Sequence, residues 1–90
     1  MSDAGVKIKI MPDSPDANLE EIESEARKII ELKQGRVNSS VKEPVAFGLN
    51  SLIITFSIIE TFEQDPLTEA LKNIEHVSSA EIIDFRRIGF

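Results

Sequence analysis

The strongest constraint in this 90-residue chain is an apolar run near its middle, Ser51-Leu52-Ile53-Ile54-Thr55-Phe56-Ser57-Ile58-Ile59. Leu52, Ile54, Phe56 and Ile58 fall on one side of an extended chain. Ser51, Ile53, Thr55, Ser57 and Ile59 fall on the other. A period of two with β-branched enrichment predicts a strand with one buried face and one mixed face. The run is too short to span a bilayer and is interrupted by Thr55 and Ser57. The segment before it, Lys42 to Asn50, has a different character. Pro44 lacks a backbone donor and Gly48 tolerates dihedrals that other residues avoid, so a shaped loop is predicted with Phe47 inside it. A rigid strand carrying an aromatic-bearing loop is a reasonable way to build a contact site.

The rest of the chain supplies the partners this strand needs. Val6, Ile8 and Ile10 alternate with Lys7, Lys9 and Met11, which predicts a first strand with a basic outer face. Pro12 and Pro15 stop it. Asn18 is placed to cap a helix, with Glu21 three residues on to complete a capping box. Leu19, Ile22, Ala26, Ile29 and Ile30 recur at helical spacing. The early glutamates suit the positive helix start, and Arg27, Lys28 and Lys33 suit its other end. Gly35 is the expected stop. Glu20, Glu21, Glu23 and Glu25 read as a solvated face, not an acidic catalytic cluster. A weak, polar second strand falls within Val37 to Val41, as on a sheet edge.

After the central strand, Glu60 to Gln64 form a polar connection. Asp65 and Pro66 read as N-cap and first residue of a second helix, whose apolar face is Leu67, Ala70, Leu71 and Ile74. His76 to Ser79 turn the chain into a last strand from about Ala80 to Arg87. Its phase is broken by the adjacent Ile82 and Ile83, which a bulge would reconcile. The order β-α-β-β-α-β buries these apolar sides most simply as a ferredoxin-like α+β sandwich: a four-stranded antiparallel sheet, order 4-1-3-2, with two helices on one face.

Ninety residues bury roughly 60–65% of their unfolded surface, enough for one core and one domain spanning residues 1–90. There is no cysteine, hence no disulfide framework or thiolate metal site. The N-terminus has no apolar signal-peptide core, so the chain is expected to be soluble, cytoplasmic and without a membrane partner. A net charge of −6 argues against phosphate-backbone binding. RNA-recognition modules share this topology but stack bases on aromatics of the open sheet face, and none is visible there. Acylphosphatases share it too, with a phosphate-binding arginine after the first strand; here that loop is Pro12-Asp13-Ser14-Pro15-Asp16. His76 is a lone histidine, insufficient for a metal site or a catalytic triad. The four glycines are scattered and make no phosphate loop. No cofactor, metal or catalytic residue is expected.

Two features remain. Phe47 reads equally as a core aromatic or as a loop-tip anchor between Pro44 and Gly48. Arg86 and Arg87 are either solubilising charges or, beside Lys7 and Lys9 of the neighbouring strand, part of a positive patch on an acidic protein.

The run Glu43-Pro44-Val45-Ala46-Phe47-Gly48-Leu49 and the apolar strand after it resemble the guanine-nucleotide exchange domain of the elongation factor 1-beta family. Met11 to Asp16 is similar to the turn after strand one in archaeal members. Val77 to Ile82 and Asp84 to Arg87 are similar to their last strand. The resemblance covers about Val6 to Ile88 and matches the archaeal, exchange-domain-only form. It implies an exchange factor, not an enzyme, that binds elongation factor 1-alpha in GDP-bound and nucleotide-free forms and speeds GDP release. It implies partner contact by the Pro-x-x-aromatic-Gly loop, here Pro44, Phe47 and Gly48, and by the C-terminal end, here Arg86 and Arg87. Two departures stand out. Arg87 occupies the place of a eukaryotic lysine, and a guanidinium is bulkier and prefers forked oxygen acceptors. The basic residues that follow the Gly-Leu pair in the family are Asn50 and Ser51 here. From the fold alone the alternative is a ligand-binding regulatory module.

Overall fold

The computed structural model describes residues 3–87. Strand β1 covers Asp3–Pro12, helix α1 Leu19–Leu32, β2 Arg36–Pro44, β3 Asn50–Ile59, α2 Gln64–Lys72 and β4 Val77–Arg87. The sheet order is β2-β3-β1-β4, the expected 4-1-3-2 read from the other edge, and every pairing is antiparallel.

Alternation decides which face is covered. Val6, Ile8 and Ile10 of β1 and Leu52, Ile54, Phe56 and Ile58 of β3 are buried, as their period of two requires. Against them lie Ile22, Ala26 and Ile30 of α1, spaced by four, and Leu67 and Leu71 of α2. Each fully buried Leu, Ile or Phe contributes about 1.5–3 kcal/mol. The two central strands and these helical stripes are therefore the source of the fold.

Several boundaries differ from the sequence expectation. Strand β2 runs from Arg36 to Pro44, longer than Val37 to Val41. It is an edge strand, mostly exposed, held by its ladder to β3 and not by apolar burial. The α1 cap is half a capping box: Asn18 Oδ1 accepts from the N–H of Glu20 at 3.0 Å and of Glu21 at 3.2 Å. No return bond from the Glu21 side chain is present among the described residues. Arg27 and Lys28 do not serve the far end of the helix. They turn back to Glu23 and Glu25, at 2.9 and 3.4 Å.

The stop of α1 is a Schellman turn whose left-handed residue is Gln34, φ 68°, and not Gly35. The Gly35 N–H donates to Ile30 O and the Gln34 N–H to Glu31 O, both at 2.9 Å. Gly35 is needed for space: a Cβ there would meet Ile30 Cγ2 at 2.7 Å.

Helix α2 starts at Gln64, with Glu63 at the cap position and no side-chain cap. Asp65 and Pro66 thus sit inside the first turn, where backbone N–H groups lack helical partners and proline is tolerated. Strand β4 begins at Val77, earlier than Ala80, because Val77 already pairs with Pro12. The turn before it closes at His76, φ 71°. The bulge is at Ile83: Lys7 faces Asp84 and Ile8 faces Ile82, which leaves Ile83 unpaired and half-exposed.

Candidate functional site

The β2–β3 hairpin builds one candidate surface. Its last rung pairs Pro44 with Asn50. The Val45 N–H then donates to Leu49 O at 2.8 Å, and the Leu49 N–H to Ala46 O at 3.3 Å. Between them the chain makes two successive left-handed steps, Phe47 at φ 63° and Gly48 at φ 74°. Glycine takes this conformation freely. A Cβ at Gly48 would touch nothing within 4 Å, so backbone conformation and not space makes glycine suitable. For Phe47 the same conformation costs roughly 1–2 kcal/mol. The ring gains nothing in return from burial, being 93% exposed. Of the two readings of Phe47, core aromatic and loop-tip anchor, the geometry excludes the first. The loop has a firm base: Ser51 is fully buried, and its Oγ donates to Glu43 O at 3.2 Å.

The end of β4 builds the other. Arg86 pairs with Gly5 and Arg87 with Ala4 of β1. Adjacent residues of a strand point to opposite faces. Arg86 lies on the open face with Asp84, Nε to Oδ2 3.2 Å. Arg87 lies on the helix-covered side, its Nε 3.3 Å from Glu60 Oε2. Both arginine side chains remain nearly four-fifths exposed.

The expected positive patch of Lys7, Lys9, Arg86 and Arg87 does not form. Arg87 is on the wrong side. On the open face Lys7 pairs by register with Asp84, and Lys9 with Glu81, so cations and acids alternate. That face has a shallow concavity of about 650 Å³ with Val41, Ile53 and Ile83 between the charges. It carries no aromatic among the described residues. Phe56, Phe62 and Phe85 are on the covered side, with Phe62 edge-on to Phe56 and stacked on Phe85.

The two candidate surfaces stand apart. Ala4, the partner of Arg87, also pairs with Ile58, whereas Pro44 pairs with Asn50. From Ile58 to Asn50 along β3 is roughly 26 Å at about 3.3 Å per residue, and Phe47 extends beyond that. Both project from one sheet, the first between β2 and β3 and the second from the end of β4. A partner that touches both must span the length of the sheet.

Elsewhere the surface offers less. A groove of about 530 Å³ between the helices is lined by Glu21, Glu25, Glu75 and His76 among others. His76 is exposed, 3.3 Å from Glu75 and 3.6 Å from Asp13. Among the described residues no three His, Asp or Glu side chains converge as a metal ion would require. No helix of the described residues is long and apolar enough to cross a membrane.

Sequence reasoning missed Glu60, Phe62 and Phe85. The first two fall in Glu60 to Gln64, which the sequence predicts as a polar connection. The signal available was an aromatic three residues beyond a strand end, a position that can fold back over the core.

Comparison with known proteins completes the picture. The EF-1 guanine nucleotide exchange domain profile matches residues 5–88. The chain is 37% identical over 92 aligned positions to elongation factor 1-beta of Saccharolobus islandicus, and 36% identical to that of Saccharolobus solfataricus, covering all of both proteins in each case. To elongation factor 1-beta of Methanosarcina barkeri it is 35% identical, over 98% of this chain and all of the other. A Pro-x-x-aromatic-Gly hairpin and a cation-bearing last strand on this fold are thus features of a chain that belongs to the EF-1 guanine nucleotide exchange domain family.

Proposed function

We propose that this chain grips elongation factor 1-alpha at two separated points and thereby speeds release of its GDP. Membership of the family makes it a guanine-nucleotide exchange factor of translation elongation. The finer reading is supported by one observation above all: Phe47 is held strained and fully presented on a braced hairpin, at the opposite end of the sheet from Arg86 and Arg87. Phe47, framed by Pro44 and Gly48, anchors the partner. The strand end brings a cation to the oxygens that hold GDP and its magnesium. Aromatic anchors in desolvated pockets can carry more than 2 kcal/mol of binding.

The thermodynamics are those of linkage. A factor that loosens GDP must bind the nucleotide-free partner more tightly than the GDP-bound one, by the same coupling free energy, typically about 1–3 kcal/mol. GTP then reloads by mass action and expels the factor. No bond is made or broken, so the chain acts without a catalytic acid or base and is not an enzyme in the chemical sense. Residues 1–90 act as one exchange domain in the cytoplasm, where elongation occurs. The net charge of −6 and the aromatic-free open face favour a protein partner over a nucleic acid. A ligand-binding regulatory module has less support, because the open-face concavity is shallow and lined by alternating charges.

Release of fluorescent GDP from the cognate GTPase tests the reading. The rate should rise and saturate with added chain. No acceleration at stoichiometric protein overturns it.

A further inference from the structure

Two adjacent arginines leave the strand end, yet they point to opposite faces and cannot both converge on one oxyanion. Partner contact by Arg86 and Arg87 is what the family resemblance implies; we propose that Glu60 is the positioning residue that aims Arg87 at the partner's anionic group. The inference rests on the exchange reading above and asks which side chains carry it.

The two acid contacts differ in kind. Asp84 and Arg86 are two residues apart on one strand, with side chains 37% and 78% exposed, against 29% and 79% for Glu60 and Arg87. Both pairs are screened at the arginine; they differ at the acid, where among the described residues only Glu60 has a buried oxygen without a hydrogen bond. Glu60 and Arg87 come from different strands. Glu60 follows the last residue of β3, and its carboxylate reaches over β1 to the end of β4. Ala4 lies between them and is fully buried, pairing with Ile58 on one side and Arg87 on the other. Its single methyl leaves that path open.

Glu60 is 29% exposed, and its Oε2 is buried without a hydrogen bond among the described residues. A desolvated carboxylate oxygen is costly unless compensated. The cation beside that oxygen is Arg87, at 3.3 Å, close enough for charge attraction but outside hydrogen-bond alignment. This is a poor way to stabilise a fold and a direct way to hold a cation in one direction. The contact is made by Nε, next to the aliphatic stem. The outer amino groups hold four of the five guanidinium donors, the set that grips a phosphate or carboxylate in a fork. Phe85, stacked on Phe62, fixes the strand just before the arginines. Arg87 therefore loses less freedom on binding than an untethered side chain would.

The test is release of fluorescent GDP from the cognate GTPase by the full chain. Glu60→Gln should lower the maximal rate about fivefold and leave the half-saturating concentration within about twofold, because Phe47 still grips. Glu60→Asp, which keeps the charge, should recover part of the rate. Arg87→Ala should be slower than Glu60→Gln, and the double variant no slower than Arg87→Ala alone, since Glu60 acts through Arg87. Asp84→Asn should stay within about twofold of the unsubstituted chain. Wild-type rates in Glu60→Gln overturn the proposal. So does a Glu60→Gln effect that persists undiminished in the Arg87→Ala background, which would mark a structural role, or an equal loss in Asp84→Asn. Failure of the unsubstituted chain to accelerate release overturns the exchange reading itself, a separate result.

Discussion

Phe85 lies stacked on Phe62, with ring centroids 6.1 Å apart and planes inclined by 21°. Phe62 in turn meets core Phe56 edge-on, at 6.5 Å and 77°. The last strand is thereby tied to the core through one aromatic from the β3–α2 connection. Arg86 and Arg87 follow at once, so the base from which they project is held by one stacked ring, itself 36% exposed, while their side chains remain in water.

Phe62→Ala should therefore act on both stability and exchange. The ring is partly buried, which places the expected loss at about 2–3 kcal/mol, below that of a fully buried phenylalanine. Urea denaturation followed by far-ultraviolet circular dichroism measures it. Under conditions where the variant is still folded, its maximal exchange rate should also fall, because the end of β4 loses its support. A variant with normal stability and normal exchange would contradict the role given to the stack.

Phe47 should show the opposite profile. Its ring is 93% exposed and its backbone left-handed. Phe47→Ala should leave stability within about 0.5 kcal/mol, and Phe47→Gly should raise it by as much as roughly 1 kcal/mol by relieving the backbone. Both should raise the half-saturating concentration for exchange by about tenfold or more, the size of an interface anchor. Unchanged saturation behaviour in the two variants would remove Phe47 from the interface.

The helix stop gives a test of stability alone. Gly35→Ala has an allowed φ but a Cβ at 2.7 Å from Ile30 Cγ2 and 3.2 Å from Ile30 O. It should cost about 1–3 kcal/mol as Ile30 is forced to shift. Gln34→Gly, one position earlier, should stabilise by roughly 1 kcal/mol, since Gln34 holds the left-handed conformation at φ 68°. Thermal unfolding of the two variants separates these signs. Equal effects would mean that the Schellman turn has been misassigned.

These contrasts show what was readable before the fold was known. Leu52, Ile54, Phe56 and Ile58 announced their strand because a period of two admits few readings, and the sheet order followed from covering that strand. The place of Phe47 was legible as a loop flanked by Pro44 and Gly48, but its exposure was not, since an aromatic in a loop can fold inward or outward. Gly35 is the expected helix stop because glycine adopts the left-handed step most freely, yet the turn uses Gln34 for that step and needs Gly35 for room against Ile30. The side of each arginine depended on the register of β4 with β1, which the Ile83 bulge shifts. Glu60 could not be linked to Arg87 from sequence at all, because the link crosses β1 and exists only in the assembled sheet.

Ala4 offers the sharpest separation between folding and function at this crossing. It is fully buried between Ile58 and Arg87. Ala4→Gly removes one methyl and weakens a strand interior, so it should cost about 0.5–1 kcal/mol while leaving the path from Glu60 to Arg87 open. Exchange by the folded variant should be near normal. Ala4→Leu adds three carbons where the sheet, the helices and the Arg87 stem already meet. It should cost about 1–3 kcal/mol by overpacking and displace Arg87 from Glu60, so that exchange by the folded variant falls further than stability alone explains. The two variants are compared by urea denaturation and by fluorescent GDP release at a temperature where both are folded. If they lose exchange in proportion to stability, Ala4 serves only the core and the crossing has no part in exchange.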